Sequence, residues 1–204
     1  PAGTEKRTYP EIKFNTGEQR DVVYDNIQLP AVYIAYKIPG TTSREIRALE
    51  ILSMILGDGK SSSLYRNVVY EGKSAKSPGS FVWDNELGGL FIVNATGFKN
   101  TNLDSLEADI TGLINELENA EVTDIELEKA KNAVENDIIG SMQTVLGKAD
   151  VLANYWTYFK DTNRINSAAD EYLRVTKEDI IKAAKKYLKR DNRVVLYYEP
   201  KPVK

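Results

Sequence analysis

The order in which hydrophobic periodicity changes along the chain constrains the fold more than any other feature. Residues 32–38 alternate as in a strand with one buried face, and Pro39-Gly40 ends that pattern. Two further strands, over 80–83 and 89–96, are separated by a short polar stretch and favour an antiparallel hairpin. Helical patterns then follow without intervening strands, and residues 193–198 form a last strand. This order favours an α+β two-layer domain over a repeated βαβ barrel.

Amphipathic stripes mark the helices that fill the space between these strands. Capping boxes are predicted at Thr42 with Glu45 and at Thr123 with Glu126, and Thr176 begins the last helix. An apolar stripe also runs through residues 146–159, where the aromatic side chains are interpreted as core packing. The core residues predicted from the two clearest stripes are Leu49, Leu52, Ile55, Leu106, Ile110 and Leu113.

The N-terminal segment differs in composition from the rest of the chain. Residues 1–20 are polar and contain two prolines and two glycines, so they are interpreted as a linker or arm with a short strand around Ile12 and Phe14. A disordered terminus explains the same composition. Residues 21–204 are then predicted to form a single domain.

Composition excludes several classes of function. The net charge of −3 gives no electrostatic case for nucleic-acid binding. The sequence contains no cysteine and no histidine, which removes thiolate and imidazole zinc ligands and the usual general base. No apolar run reaches the roughly 20 residues that span a bilayer. Any metal or acid–base chemistry through histidine must therefore come from a partner.

One segment carries a resemblance to a known family. Residues 56–65, LGDGKSSSLY, resemble the stretch of insulinase and mitochondrial-processing-peptidase-like zinc peptidases in which a helix ends in a glycine-rich loop before a serine-rich run. The Pro39-Gly40 strand end, Gly88-Gly89 in the hairpin, the helix start VTKED at 175–179 and the closing strand at 193–198 agree with it. The resemblance covers roughly residues 20–199.

The resemblance implies a mostly antiparallel sheet with helices packed on one face. It also implies two such halves that close around an extended peptide, one of them carrying the inverted zinc motif H-x-x-E-H. A chain without histidine resembles the other, non-catalytic C-terminal half. We therefore expect no cofactor in this chain, zinc in a catalytic partner half that is fused upstream or a separate chain, and a peptide substrate.

The resemblance also places candidate residues, with departures from the family pattern. An arginine and a tyrosine that contact substrate in active members fall here on Val69 and Lys76, and Ser63 stands where arginine is frequent. A small gap restores other pairings, such as Arg66 with Lys73 or Lys76.

The predicted substrate-binding residues lie around the glycine-rich loop, which we expect to be exposed at the mouth of a cleft. Two glycines and three serines bury little apolar surface, and glycine permits close backbone approach. A simple helix cap at Gly57 is the structural alternative, and the Walker phosphate-loop spacing is not met. For Lys73 and Lys76 the simpler interpretation is that they are solvated surface residues. The set is Gly57, Gly59, Lys60, Ser61, Ser62, Ser63, Arg66, Lys73 and Lys76.

Three functions remain open at this point. The first is the non-catalytic half of a zinc metalloendopeptidase, which walls the peptide chamber and binds substrate. The second is a structural subunit derived from the same family. The third, an enzyme that acts alone without histidine, has the least support because no constellation of carboxylates or lysines stands out in the sequence.

Overall fold

A computed structural model of the chain describes residues 17–117 and 122–202. Its strands form one sheet in the order β1-β5-β2-β4-β3. The β1 strand runs parallel to β5, whereas the β5–β2, β2–β4 and β4–β3 pairs are antiparallel. The strands are β1 Gln19–Asp25, β2 Ala31–Pro39, β3 Ala75–Trp83, β4 Gly88–Gly97 and β5 Arg193–Pro200.

The α-helices are α1 Glu45–Gly57, α2 Leu103–Leu117, α3 Asp124–Ser141, α4 Val145–Asn154, α5 Ala168–Leu173 and α6 Lys177–Tyr187. Two π-helical segments, Tyr65–Glu71 and Tyr155–Phe159, follow α1 and α4. Short 3-10 turns cover Thr162–Asn166 and Arg190–Asn192. Over the described ranges, no helix is long and apolar enough to cross a membrane.

The core lies between one face of the sheet and the helices. Alternate β2 side chains, among them Ile34 and Tyr36, are buried with Phe91 of β4 against α1, α2 and α6. Five of the six predicted core residues are buried, and Leu113 is half-buried against the same cluster. Full burial of a large apolar side chain contributes about 1.5–3 kcal/mol. The predicted α+β fold, with a mostly antiparallel sheet and helices on one face, is confirmed.

The helix starts follow the predicted capping chemistry in two of three places. Thr123 and Glu126 form the predicted capping box, and Thr176 caps α6 together with Asp179. The box predicted at Thr42 is wrong, because α1 begins with Arg44 at its cap position and no capping side chain. The Glu45 carboxylate accepts instead from Lys186 Nζ at 2.8 Å, since α6 lies alongside the start of α1.

The β1 strand is absent from the sequence prediction. It begins at Gln19, so the last two residues of the predicted arm belong to the sheet. The short strand predicted around Ile12 and Phe14 lies outside the described residues. Because β1 is an edge strand, it shows little of the apolar alternation that identifies a half-buried strand.

The apolar stripe after residue 145 forms a helix as expected, but it does not enter the core. No residue of α4 is buried, and Leu146 is 80% exposed. The predicted aromatic core cluster is also wrong in part, because Trp156 and Tyr158 are exposed. Tyr155 and Phe159 are half-buried and pack on each other, with ring centroids 5.9 Å apart. Periodicity predicted the helix correctly, but its apolar residues Val145 and Leu146 are exposed.

Candidate functional site

The glycine-rich loop begins where α1 meets the edge strand β3. A Cβ atom on Gly57 would lie 2.2 Å from the backbone nitrogen of Ser80, so only glycine allows this approach. Ser80 Oγ donates to the Ser53 carbonyl oxygen at 2.6 Å and holds the two elements together. Gly57 does not have a positive φ, so it is not a left-handed helix cap. Its role in the fold is close packing of α1 on β3.

Gly59 supplies the conformational freedom that turns the chain away from α1. It has a φ of +72°, and a Cβ atom there would meet nothing within 4 Å. The turn closes when the Ser62 N–H donates to the Gly59 carbonyl oxygen at 3.2 Å. The residues between, from Asp58 to Ser61, are exposed. This part of the loop is therefore accessible to a ligand.

The three serines have different environments. Ser61 is exposed and accepts a hydrogen bond from Lys129 Nζ of α3 at 2.5 Å. Ser62 is only 4% exposed, and its Oγ accepts from the Tyr65 N–H at 3.3 Å. Ser63 is half-buried, and its carbonyl oxygen accepts from Asn67 Nδ2 at 2.8 Å. The expectation that the whole loop is exposed is wrong for Ser62, because the turn closed by its N–H and the Gly59 carbonyl directs the residue inwards.

A small pocket of about 130 Å³ separates the loop from α3. Its walls are mainly apolar, with loop polar groups at the rim. The residues that define it include Met54, Asp58, Ser62, Ile125, Lys129 and Ala133. Its volume suits one small side chain rather than a long peptide segment.

The predicted cationic residues do not converge on one point. Arg66 is exposed at the start of the π-helical segment, with its guanidinium 3.9 Å from Glu126 of α3. Lys73 and Lys76 follow that segment, Lys73 with a φ of +48° and Lys76 at a bulge in β3. Both lysines are exposed, and within residues 17–117 and 122–202 neither forms an ion pair. Arg66 thus shares the loop region, whereas the lysines lie on the approach to β3.

The π-helical segment contains Val69, one of the positions at which the chain departs from the family pattern. Val69 packs against the core, so it has no side chain to offer a ligand. Tyr70 is 77% exposed and was not among the predicted site residues. Tyr70 and the adjacent Glu71 are both exposed within the π-helical segment. Tyr70 therefore joins Arg66 as a residue available for contact.

The face of the sheet opposite the helices exposes apolar side chains. The register pairs Phe81 with Ile92 and Trp83 with Leu90, and Ile92 in turn pairs with Ala35. Patches of exposed apolar surface of this kind mark interaction sites. The exposed members are Tyr33, Phe81 and Trp83, with Leu90, Ile92, Val194 and Leu196 half-buried between them.

The strongest electrostatic perturbations lie away from the loop. Burial raises the pKa of Glu50 in spite of the opposing charge of Arg47, and Tyr172 donates to Glu50 Oε2 at 2.8 Å. This cluster ties α5 to α1. In the part of the chain that the structure describes, no group of three or more His, Cys, Asp or Glu residues is arranged to hold a metal ion.

Comparison with known proteins gives consistent matches. A family model described as the peptidase M16 inactive domain matches residues 1–134. The zinc protease PqqE of Helicobacter pylori is 26% identical over 185 residues, which are 90% of this chain and 41% of that protein. The chain therefore spans about two fifths of the length of this curated relative.

Solved structures share the fold over nearly the whole chain. A protease from Helicobacter pylori superposes with a TM-score of 0.85 and 25% identity, covering 98% of this chain and 48% of that one. A peptidase M16 inactive domain from Pseudomonas fluorescens superposes with a TM-score of 0.83 and 15% identity, covering 100% and 48%. The second likeness is one of fold alone.

Proposed function

Because this chain belongs to the peptidase M16 family and corresponds to its inactive domain, we propose that it is the non-catalytic half of a zinc metalloendopeptidase. It walls the peptide chamber and binds substrate for a partner half that carries the H-x-x-E-H motif. One observation carries the proposal. A chain with the fold of these proteases has no histidine and no cysteine anywhere in its sequence.

The contribution of this half to catalysis is steric and electrostatic. Zinc held by the partner half supplies a metal-activated water when bound. The residues of this chain orient the peptide and keep bulk water and folded proteins out of the chamber. Ordering a peptide in this way lowers the entropic cost of reaching the reactive geometry.

The open face of the sheet is the surface that we assign to the partner half. Tyr33, Phe81 and Trp83 form an exposed apolar patch, and such patches mark sites of protein–protein interaction. The two Helicobacter pylori relatives are about twice as long as this chain, so they contain a further segment of comparable size. An apolar patch facing such a segment supports a lasting interface.

The loop from Asp58 to Ser61 is the surface that we assign to the peptide. Its four residues are exposed, and the open space around Gly59 lets an extended peptide approach the backbone closely. Lys60 and Arg66 add positive charge beside it. The loop is anchored at both ends by α1 and the π-helical segment, which keeps it in a fixed position.

The peptide-binding role is tested in the assembled enzyme with Gly59→Asn and Lys60→Ala introduced together. Asparagine tolerates the left-handed conformation at position 59, so the fold is retained. We expect KM for peptide hydrolysis to rise several-fold at an unchanged melting temperature. The exposed Lys99→Ala is the matched control and leaves KM unchanged. Wild-type KM and kcat in the double variant would show that the loop is only a helix connection.

The docking role is tested by co-purification with the catalytic half. Trp83→Glu places a charge on the open sheet face and is expected to weaken association at least tenfold. Trp156→Glu is the matched control, because Trp156 is 59% exposed like Trp83 but lies after α4. Equal affinities of the two variants for the catalytic half would contradict the assignment of this face.

A scaffold subunit is the second candidate function, and specific contacts favour it. Lys129 of α3 already donates to Ser61, Glu126 lies near Arg66, and Val69 packs against the core. These contacts leave fewer groups free for substrate than the sequence predicts. An assembly that forms normally but hydrolyses no peptide, although its other half holds zinc, supports this alternative.

A further inference from the structure

A wide cleft lies at the opposite end of α1 from the glycine-rich loop. It has a volume of about 600 Å³ and is bounded by residues 41–48, by Phe159 and Arg164, and by the end of α5 and the start of α6. Five cationic side chains line it, against three acidic ones, in a chain whose net charge is −3. The cationic residues are Arg44, Arg47, Arg164, Arg174 and Lys182.

The three acidic residues of the cleft already have partners on the protein. Glu171 accepts from Arg47 Nε at 3.3 Å and also from Arg164. Glu45 accepts from Lys186, and Asp179 accepts from the Thr176 N–H at 3.0 Å. Glu171 and Glu45 therefore join α1 to α5 and α6, and Asp179 caps α6.

Several of the cationic side chains in the cleft have no ion-pair partner among the described residues. Among the described residues, the side chains of Arg44, Arg174 and Lys182 form no ion pair and no hydrogen bond, and all three are exposed. Arg164 Nε is buried and lacks an acceptor within the described ranges. A buried N–H without an acceptor is unfavourable, so a ligand oxygen that accepts from it stabilises the complex.

The Arg164 guanidinium is held in a fixed orientation. Its carbon lies 4.1 Å from the centroid of the Phe159 ring, and its other edge donates to Glu171. A guanidinium stacked on an aromatic ring is suited to planar or tetrahedral oxyanions. The hydroxyl groups of Thr41 and Thr42 line the same cleft and add neutral donors.

We propose that this cleft binds an oxyanion, a carboxylate or a phosphate, through Arg44, Arg164, Arg174 and Lys182. Arg164 and the threonine hydroxyls give directed hydrogen bonds, and the exposed cations supply the attraction. The site lies about one helix length from the glycine-rich loop and does not depend on the proposed peptidase role. Its ligand is a peptide carboxylate or a free phosphate, which share this chemistry.

The test uses the whole chain with three probes: inorganic phosphate, an acetylated dipeptide with a free carboxylate, and the same dipeptide as its amide. Binding is followed by the ¹⁵N–¹H signal of Arg164 Nε. We expect saturable shifts with phosphate or the dipeptide acid and none with the amide. Binding of the acid alone identifies a peptide terminus, and binding of phosphate alone identifies a free phosphate. No saturable shift with either anion up to about 10 mM overturns the site.

A matched pair of variants excludes nonspecific attraction. Arg44→Gln with Arg174→Gln removes two exposed, unpaired charges from the cleft and is expected to weaken binding at least tenfold. Lys185→Gln with Lys189→Gln removes the same charge from exposed positions outside the cleft. Equal losses in the two double variants would overturn the proposal, because they would reflect overall charge. Unchanged melting temperatures show that both double variants remain folded.

Discussion

At the scale of single residues, an ion pair buried between α2 and β5 carries a high desolvation cost. Arg193 donates to Glu107 Oε1 at 2.9 Å, and the two side chains are 4% and 9% exposed. Arg20 and Tyr197 also donate to Glu107, and Glu18 accepts from Arg193 at 2.7 Å. Desolvation makes such pairs costly, so they persist only when every charged group has partners. Here the partners come from β1, α2 and β5.

The first prediction concerns this pair. Glu107→Gln leaves Arg193 buried with only Glu18 as an anionic partner, and we expect a loss of about 3 kcal/mol in the free energy of unfolding. Chemical denaturation measures it. Asp109→Asn on the same helix is the control, because Asp109 is exposed, and it should change stability by less than about 0.5 kcal/mol. Similar values for the two variants would mean that the buried pair contributes little.

At the scale of elements, the position of α1 on β3 depends on Gly57. The backbones approach so closely there that any side chain would meet the backbone of Gly79 or Ser80. The helix α1 also carries the loop, so its distance from the sheet sets the position of the loop. Sequence periodicity predicts the helix and its buried stripe but not this close contact.

The second prediction therefore compares two glycines in helices. Gly57→Ala forces α1 and β3 apart and is expected to cost about 1–3 kcal/mol of stability. Gly112→Ala in α2 is the control, since a Cβ atom there meets nothing within 4 Å. It should stabilise the protein by about 0.5–1 kcal/mol, because alanine favours the helix. Thermal unfolding of both variants measures the difference, and a neutral Gly57→Ala would refute the contact.

At the scale of the whole molecule, the carboxylates set the response to acid. Burial alone would raise the pKa of Glu18, but hydrogen bonds from Arg20 and Arg193 lower it to about 2. For Glu107, hydrogen bonds from Arg20 and Tyr197 likewise outweigh burial and lower the pKa. At pH values between the lowered pKa of each folded carboxyl and the unfolded pKa of about 4.3, the unfolded chain binds more protons than the folded protein. Stability from both groups is thus complete above the unfolded pKa and falls as pH decreases.

The third prediction is a loss of folding free energy as the pH falls from about 5 towards 2. Urea denaturation at a series of pH values measures it. The fall should be shallower in Glu107→Gln, which lacks one of the two groups, and unchanged in Glu128→Gln, where the carboxylate is exposed. Glu50 acts in the opposite sense, because burial raises its pKa, so its contribution is lost as pH rises. A flat profile below pH 5 would contradict this account.

The sequence by itself determined the chemistry that the chain lacks and the elements with strong local patterns. The absence of histidine and cysteine, the alternation in β2 and the stripes of α1 and α2 are local properties, and they led to the correct fold class and family. The capping box at Thr123 and the helix start at Thr176 were predicted because capping involves residues close together in sequence, whereas the box predicted at Thr42 does not form.

Only the tertiary structure decided which surfaces are covered and which distant residues meet. β1 joins the sheet through β5, some 170 residues away, so its own sequence shows no clear strand pattern. The amphipathic α4 has no buried residue although it touches α3, whereas Ser62 is buried by the turn that Gly59 makes possible. Gly57 is fixed by contact with β3 rather than by helix capping. Periodicity records that a side chain prefers burial, but long-range packing determines whether a partner surface is there to bury it.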